Sequence, residues 1–507
     1  MTSYLGVEPD HKKFALWAKK RDIFLNPDVA FLVPTKRMGL GVYALKPLKK
    51  GSTIISCPLA SAISPYEKNV ETSTSPSASA IAAAIPQSKS SSGGGSSGTL
   101  HNSVLVDNTL RVCLRLMSEL SRPKSTMRPW LECCPRMPTH LFGLSQEVLE
   151  RIDLHSAAQC TQWSNVGQQF TEINADALWE RAQRIIAEYP DIWPADICTA
   201  ELFAECLTQI LSRNFHREEV PGQEGPYLLP GVDFVNHSFT QTNAEFTMHG
   251  GGRAHNLSFD VMALRDIAKG EQVYYNYGPI SEARFFLEFQ FLNEIGGNPH
   301  DALRFSWNAL ESLARATLDS NLDVLAPAPS AAAKAVTISS SSLASRIKKL
   351  QRLSLWNDEG LFVTAAAPVN PDDEAATAAS SNETDPSEGT TSASVRTYKG
   401  FSSDLWNAVY LLTSIDDRAF EDIENTLSRH WECSKSVVKS PVVRNMKVLI
   451  GLRAGALSAA LQKIEQALGD ATFMATLAQP RHDAIRMLAQ AHKREERILQ
   501  TIVAALA

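Results

Sequence analysis

Three short segments of this chain combine glycine or polar side chains with apolar neighbours, as a ligand site requires. The pair Asn236-His237 ends an apolar run and offers amide, carbonyl and ring groups at one point. Further along, a strand-like run ends in Tyr277 followed by a glycine. Upstream, the run Gly39-Leu40-Gly41 carries two residues that let a backbone approach a ligand without a clash. Each segment by itself is a weak signal, and the order of the three along the chain is what makes them informative.

Short strands must bring these segments together, because the three are far apart in the chain. Apolar runs alternate with Gly, Pro and Lys turns between residues 31 and 64, which is typical of short strands. Strand-like sequence returns between 227 and 277. In between, apolar residues at three- and four-residue spacing predict helices. We therefore predict an α+β fold with a helical N-terminal segment at 1–30, a domain of short strands at 31–295 and a helical insertion at 104–216.

The remaining sequence predicts an all-α C-terminal domain at 296–507, whose last helix carries an apolar stripe opposite Lys and Arg residues. Two tracts contain few large apolar side chains and cannot bury enough surface to fold. The first, 70–98, is rich in Ser, Ala and Gly, and we expect it to be disordered. The second, 326–395, is rich in Ala, Ser, Pro and Thr, and we expect it to be largely disordered.

Composition excludes several classes of function. The formal charge of -6 over 507 residues gives no electrostatic reason for binding nucleic acid. No run of about 18 apolar residues predicts a membrane span, and residues 1–20 lack the apolar core of a signal peptide. The eight cysteines form no C-x-x-C pair, so we expect reduced, buried thiols and no metal site. We expect a cytoplasmic or nuclear protein, and a monomer.

In their order along the chain, these motifs resemble the SET-domain methyltransferases, which transfer a methyl group from S-adenosylmethionine to a protein side chain. The surrounding sequence is similar to the branch typified by the Rubisco large-subunit lysine methyltransferase. That resemblance implies a SET-type fold of short strands at 31–295, and a C-terminal helical domain at 296–507 that binds the protein substrate. Many histone-directed SET enzymes carry a zinc-binding cysteine cluster after the catalytic domain, and its absence from this sequence argues against that branch.

The resemblance also implies roles for individual residues. Tyr277 matches the catalytic tyrosine. The cofactor would be held by Gly39, Leu40, Gly41, Arg213, Asn236 and His237, where the planar fork of the arginine suits the cofactor carboxylate. Asp233 and Arg217 match positions near the substrate. Asp233 could instead orient the Asn-His loop through hydrogen bonds, and Arg217 has ordinary surface partners in the two glutamates that follow it.

The sequence departs from the family pattern just after Tyr277. Ser281 is followed by Glu282 where the family usually has asparagine, and Phe289-Gln290 occupies the place of a later tyrosine. Phe289 would therefore line the substrate pocket without the hydroxyl that helps to define the space around the target amine. This change leaves open how many methyl groups are added and which side chain accepts them.

Three functions follow as hypotheses. The first is a protein-lysine N-methyltransferase that acts on a non-histone protein, with ribosomal or translation proteins as plausible targets because several relatives modify them. The second is a protein-histidine methyltransferase of the same fold, since one relative modifies a histidine of actin. The third is a non-catalytic scaffold, either binding the cofactor without turnover or acting as a helical adaptor with a blocked pocket.

Overall fold

The structure is a computed structural model. It describes the following residues of the chain: 9–35, 38–66, 76–85, 97–134, 146–152, 175–216, 225–249, 257–278, 282–289, 291–292, 298, 300, 302–305, 361–364, 441–477 and 479–506.

Helix α1, His11–Lys20, opens the described chain where the amphipathic pattern predicts it. The Asp10 carboxylate accepts hydrogen bonds from two backbone N–H groups of the first turn, at 2.9 and 3.0 Å, and so caps the helix. Phe14, Trp17 and Ala18 are buried against the domain that follows. The three lie three and four residues apart, and this spacing places them on one face of the helix.

A four-stranded antiparallel sheet, in the order β1-β4-β9-β8, forms the frame of the β-containing domain. Strand β4 at its centre buries Ile54, Ile55 and Cys57 completely. Smaller pairs, β2 with β3 and β5 with β6, are antiparallel, whereas β7 and β10 are parallel. The strands of the described chain are β1 (Phe24–Leu25), β2 (Val29–Pro34), β3 (Leu40–Ala44), β4 (Thr53–Pro58), β5 (Asn214–Phe215), β6 (Tyr227–Leu228), β7 (Asn236–His237), β8 (Ala244–His249), β9 (Ser258–Ala263), β10 (Tyr274–Tyr275), β11 (Ala302–Phe305) and β12 (Leu361–Thr364).

Helices interrupt the strands between β4 and β5, as the sequence predicts. Helix α7 carries a side-chain cap at its start, where the Thr199 hydroxyl accepts from the Leu202 N–H at 3.3 Å. It ends at Arg213, so that strand β5 follows directly. The described helices after α1 are α2 (Pro76–Ala84), α3 (Ser97–Ser121), α4 (Arg128–Leu131), α5 (Gln146–Arg151), α6 (Ala175–Glu188), α7 (Ala200–Arg213), α8 (Glu282–Phe289), α9 (Pro441–Gly469), α10 (Ala471–Ala475) and α11 (Gln479–Leu506).

Two buried clusters connect elements in the described part of the chain. The larger joins the sheet, helix α1 and the inserted helices, and it includes the fully buried side chains of Trp130 and Trp193. The second joins helices α8, α9 and α11 through Phe286, Ile464 and Ile485, among others. Helix α8 therefore lies where the two regions of the chain meet.

The structure corrects one prediction about the inserts. Helix α2 lies inside 70–98, which we predict to be disordered, and its Ala80 and Ile81 are buried in the main cluster. The prediction is wrong for these residues because alanine favours helix, and Ile81 and Ile85 dock the segment in the core. Strand β12 lies inside 326–395, whose other residues fall outside the description. It pairs with β11, so the described residues of the predicted all-α region include a two-stranded sheet as well as helices. Within the described chain, no helix is both long and apolar enough to span a bilayer.

Candidate active site

The parallel pairing of β7 with β10 brings the polar segments together. Asn236 pairs with Tyr274, and His237 pairs with Tyr275. Beyond the end of β10, the Tyr277 N–H donates to His237 Nδ1 at 3.1 Å. The Tyr277 hydroxyl donates to the Val235 carbonyl oxygen at 2.7 Å. Tyr277 is thus attached at both its backbone and its hydroxyl to the segment that carries the Asn-His pair.

His237 is a neutral imidazole in this site. It is almost completely buried, and burial lowers its pKa to about 4. Since Nδ1 accepts the Tyr277 N–H, the ring proton is on Nε2, which has no hydrogen-bond partner among the described residues. The ring centroids of Phe239 and Phe285 lie 4.3 and 4.5 Å from that of His237. His237 therefore packs as an aromatic ring and orients the backbone of Tyr277.

The glycine loop contacts the Asn-His pair directly. Asn236 Nδ2 donates to the Leu40 carbonyl oxygen at 3.0 Å. Gly39 has φ +69°, a conformation that glycine adopts without strain. A Cβ atom added to Gly41 would lie 2.5 Å from Gln272 Nε2 and 3.0 Å from Asn236 Nδ2. Close approach of two side-chain amides therefore requires glycine at position 41.

Gln272 is a site residue that the sequence analysis missed. Its Oε1 accepts the hydroxyl groups of Tyr43 and Tyr274, at 2.7 and 2.8 Å, and these two bonds direct Nε2 towards Gly41. Nε2 is buried and has no partner in the described part of the chain. No local signal identifies such a glutamine, because its role depends on Tyr43, which lies far away in the sequence.

Arg213 and Asp233 form a buried ion pair beside Tyr277. Arg213 NH1 donates to the Asp233 backbone oxygen at 2.7 Å and to its Oδ2 at 3.2 Å. Asp233 Oδ1 accepts the Gly231 N–H at 3.0 Å and the Trp130 indole N–H at 3.4 Å. Burial raises the pKa of Asp233, while Arg213 opposes that shift. These contacts favour the role of Asp233 in orienting the Asn-His loop. Arg213 Nε is buried without a partner in the described chain.

Aromatic rings surround the Tyr277 phenol. The ring centroids of Tyr275 and Phe289 lie 4.7 and 4.9 Å from that of Tyr277. The ring centroid of Phe215 lies 6.5 Å from that of Tyr275. Burial raises the pKa of Tyr277 well above its ordinary value, so its hydroxyl stays protonated at neutral pH.

The structure brings together most of the residues that the sequence analysis singled out. Tyr277 lies against His237 and Phe289, while Leu40 and Gly41 lie against Asn236. Arg217 lies outside the described residues. The six cysteines among the described residues are buried and form no disulfide, as we predict for reduced thiols. No group of three or more His, Cys, Asp or Glu residues in the described ranges could hold a metal ion.

Comparisons with known proteins identify the fold. Residues 39–278 match the family model described as the SET domain. A crystal structure of the SET domain of LSMT bound to lysine and AdoHcy has a TM-score of 0.56 and 17% identity, over 98% of this chain and 90% of that chain. Rubisco LSMT bound to sinefungin and monomethyllysine has a TM-score of 0.55 and 16% identity, over 99% and 92%.

A curated protein named as a histidine methyltransferase also matches part of this chain. The actin-histidine N-methyltransferase of Danio rerio is 24% identical over 202 residues, which are 38% of this chain. The match spans 30% of that relative's length.

Proposed function

We propose that this chain, which carries a SET domain at residues 39–278 and shares the fold of the Rubisco LSMT structures, is an S-adenosylmethionine-dependent protein-lysine N-methyltransferase. The observation that carries the proposal is the attachment of Tyr277 to the Val235–His237 segment by two hydrogen bonds. This attachment places a phenol oxygen beside the residues proposed to hold the cofactor. The proposed acceptor is a non-histone protein such as one of the translation machinery, and the C-terminal helices are proposed to bind it.

The residues of the site fit the amino-acid end of the cofactor. Arg213 Nε and Gln272 Nε2 are buried donors without partners in the described chain, and a carboxylate would satisfy such donors. A Cβ atom does not fit at Gly41, so the loop requires glycine there, and the backbone of a glycine can approach the cofactor closely. Gly39, Leu40, Gly41, Arg213, Asn236 and His237 are the residues proposed to hold the cofactor. When bound, S-adenosylmethionine supplies a methyl group on a positively charged sulfur.

Tyr277 is proposed to orient the acceptor amine without removing its proton. Its hydrogen is donated to the Val235 carbonyl, so the phenol oxygen presents its lone pairs to an incoming N–H group. The raised pKa keeps the phenol neutral, and a neutral phenol is a poor base at pH 7. A lysine N–H that binds this oxygen has its own lone pair free for attack. Holding amine and methyl group in line can lower the barrier by about 7–11 kcal/mol.

Methyl transfer also requires a neutral acceptor amine, and the aromatic rings around Tyr277 favour that neutral form. Deprotonating a free lysine at pH 7 costs about 4.6 kcal/mol, from a pKa near 10.4. Tyr275 and Phe289 enclose the phenol without offering a charge, and transfer of an ammonium group into such surroundings lowers its pKa. The long apolar stem of lysine also suits an entrance lined by rings. Both properties support lysine as the acceptor.

Histidine methylation is the second candidate function. The curated relative that matches this chain modifies a histidine of actin, and Phe289 replaces a tyrosine expected from the family pattern. An imidazole is already neutral at pH 7, with an ordinary pKa near 6.5, so it needs no desolvation to become a nucleophile. It needs instead a hydrogen-bonding group that orients the ring.

The experiment uses labelled S-adenosylmethionine and a fractionated lysate of cells that lack this protein. We expect wild-type protein to label a protein band, and acid hydrolysis of that band to release methyl-lysine. Release of methyl-histidine would select the second candidate. Tyr277→Phe should retain cofactor binding but lose at least about 90% of the labelling. The matched control is Tyr189→Phe, which removes a hydroxyl at the end of helix α6 and should retain activity.

Two results would contradict the proposal. Wild-type protein that binds S-adenosylhomocysteine but labels nothing would be a cofactor-binding scaffold. Undiminished labelling by Tyr277→Phe would remove the phenol from the mechanism.

A further inference from the structure

One face of helix α8, Glu282–Phe289, lines the proposed active site. Phe285 and Phe289 are one turn apart, with ring centroids separated by 5.4 Å. The Phe285 ring lies 4.5 Å from the His237 ring, and the Phe289 ring lies 4.9 Å from Tyr277. Any shift of this helix would therefore move the rings that surround the phenol.

Another face of helix α8 binds the C-terminal helices. Phe286 is 2% exposed and packs in the cluster that contains Ile485 and Leu488 of helix α11. One turn earlier, Glu282 Oε2 lies 2.7 Å from Arg494 NH1 of the same helix. The Glu282 side chain is 3% exposed and that of Arg494 is 27% exposed, so water screens this ion pair poorly.

We propose that Arg494 is a positioning residue for methyl transfer, an inference that rests on the proposed function. Its guanidinium holds Glu282, and Glu282 begins the helix that carries Phe285 and Phe289 against His237 and Tyr277. The C-terminal helices therefore have a role in the chemical step as well as the proposed role in binding the protein substrate. Glu282 is also the residue that departs from the family pattern, and the ion pair gives a physical reason for a carboxylate at that position.

The energetics of a buried pair make this role measurable. Removing the Arg494 guanidinium takes a positive charge away from the carboxylate of Glu282, whose side chain is 3% exposed, and breaking one side of a buried ion pair is strongly unfavourable. The loss of this charge favours an outward movement of the first turn of helix α8, which would bring the carboxylate into water. Misplacement of catalytic groups by about 1 Å can reduce a rate on the order of a hundredfold. Replacing both partners by neutral amides removes the charge and its consequence.

The experiment compares Arg494→Gln, Glu282→Gln and the double variant with wild type, in labelled methyl transfer to the identified acceptor. The control is Lys493→Gln on the same helix. Lys493 pairs with Glu465 of helix α9 at 2.7 Å, and both side chains are about half exposed, so this change alters the helical domain without affecting helix α8. Calorimetric titration with S-adenosylhomocysteine measures cofactor affinity, and circular dichroism verifies folding. Arg494→Lys is included as a conservative variant.

We expect Arg494→Gln to lower kcat at least tenfold, with cofactor affinity reduced less than threefold, because helix α7 and strand β3 hold Arg213 and Gly41 independently. Arg494→Lys and the double variant should recover part of kcat, and Lys493→Gln should match wild type. A wild-type kcat for Arg494→Gln would overturn the inference. A change confined to the acceptor KM would also overturn it, because Arg494 would then act in docking alone. If Arg494→Gln does not fold, Glu282→Gln tests the same ion pair from its other partner. An unchanged kcat in that variant would also overturn the inference. Absence of methyl transfer by wild-type protein would instead defeat the proposed function itself.

Discussion

Replacing Gly41 by alanine is the sharpest test of the proposed cofactor loop. The added Cβ atom would lie 2.5 Å from Gln272 Nε2 and 3.0 Å from both Asn236 Nδ2 and Thr35 Cγ2. Unstrained contacts between heavy atoms of this kind lie near 3.5–4.0 Å. Hence the Gln272 amide must move by about 1 Å, and Asn236 must give way by less.

The cost can be worked out from the contacts that this movement disturbs. Gln272 Oε1 accepts hydrogen bonds from Tyr43 and Tyr274, and each contributes about 0.5–1.5 kcal/mol to stability. Overpacking adds about 1–3 kcal/mol. We expect the free energy of unfolding to fall by about 2–6 kcal/mol if both hydrogen bonds are lost. If the displacement of the loop reduces the free energy of cofactor binding by about 1.4–2.8 kcal/mol, the affinity falls about 10- to 100-fold.

Calorimetric titration with S-adenosylhomocysteine measures the affinity, and urea unfolding measures the stability. The control is a double-mutant cycle with Gln272→Ala, which removes the side chain that the new methyl group meets. Gly41→Ala should cost much less in the Gln272→Ala background than in wild type. Cofactor affinity within threefold of wild type, in folded Gly41→Ala protein, would refute the assignment of this loop.

Three other predictions follow from separate features of the molecule. Burial lowers the pKa of His237 to about 4 and that of His492 to about 3, whereas histidine in the unfolded chain titrates near 6.5. The stability that these neutral rings contribute is complete above pH 6.5 and is lost as the pH falls towards 4, so urea midpoints measured at pH 7.5, 5.5 and 4.5 should decrease in that order. Gly455→Ala, at an exposed site of helix α9 where a Cβ atom meets nothing within 4 Å, should raise the free energy of unfolding by about 0.5–1 kcal/mol without changing activity; unchanged or lower stability would contradict it. Phe289→Tyr adds a hydroxyl beside Tyr277 and should shift the product towards fewer methyl groups, as read by mass spectrometry of the acceptor; an identical product distribution would count against Phe289 as a pocket residue.

Local chemistry and periodicity made several features predictable. Helix α1 lies inside the helical N-terminal segment predicted at 1–30, and it buries Phe14, Trp17 and Ala18. Asn236-His237 and Tyr277 could be singled out because their order along the chain resembles that of the SET-domain methyltransferases, although each motif by itself is a weak signal. Composition was a poorer guide in 70–98, where alanine-rich sequence forms helix α2 once Ile81 has a core to enter.

The sequence by itself determined which groups are available for chemistry, namely a phenol, an Asn-His pair, a glycine loop and an arginine. Tertiary structure alone decided their partners. Gln272 faces Gly41 because Tyr43, far away in the sequence, holds its amide, and Glu282 meets Arg494 because two apolar faces of helices pack together. These contacts join residues far apart in the chain. Hydrogen bonding and burial select them only after folding has brought the segments within a few ångströms, so no local pattern can encode them.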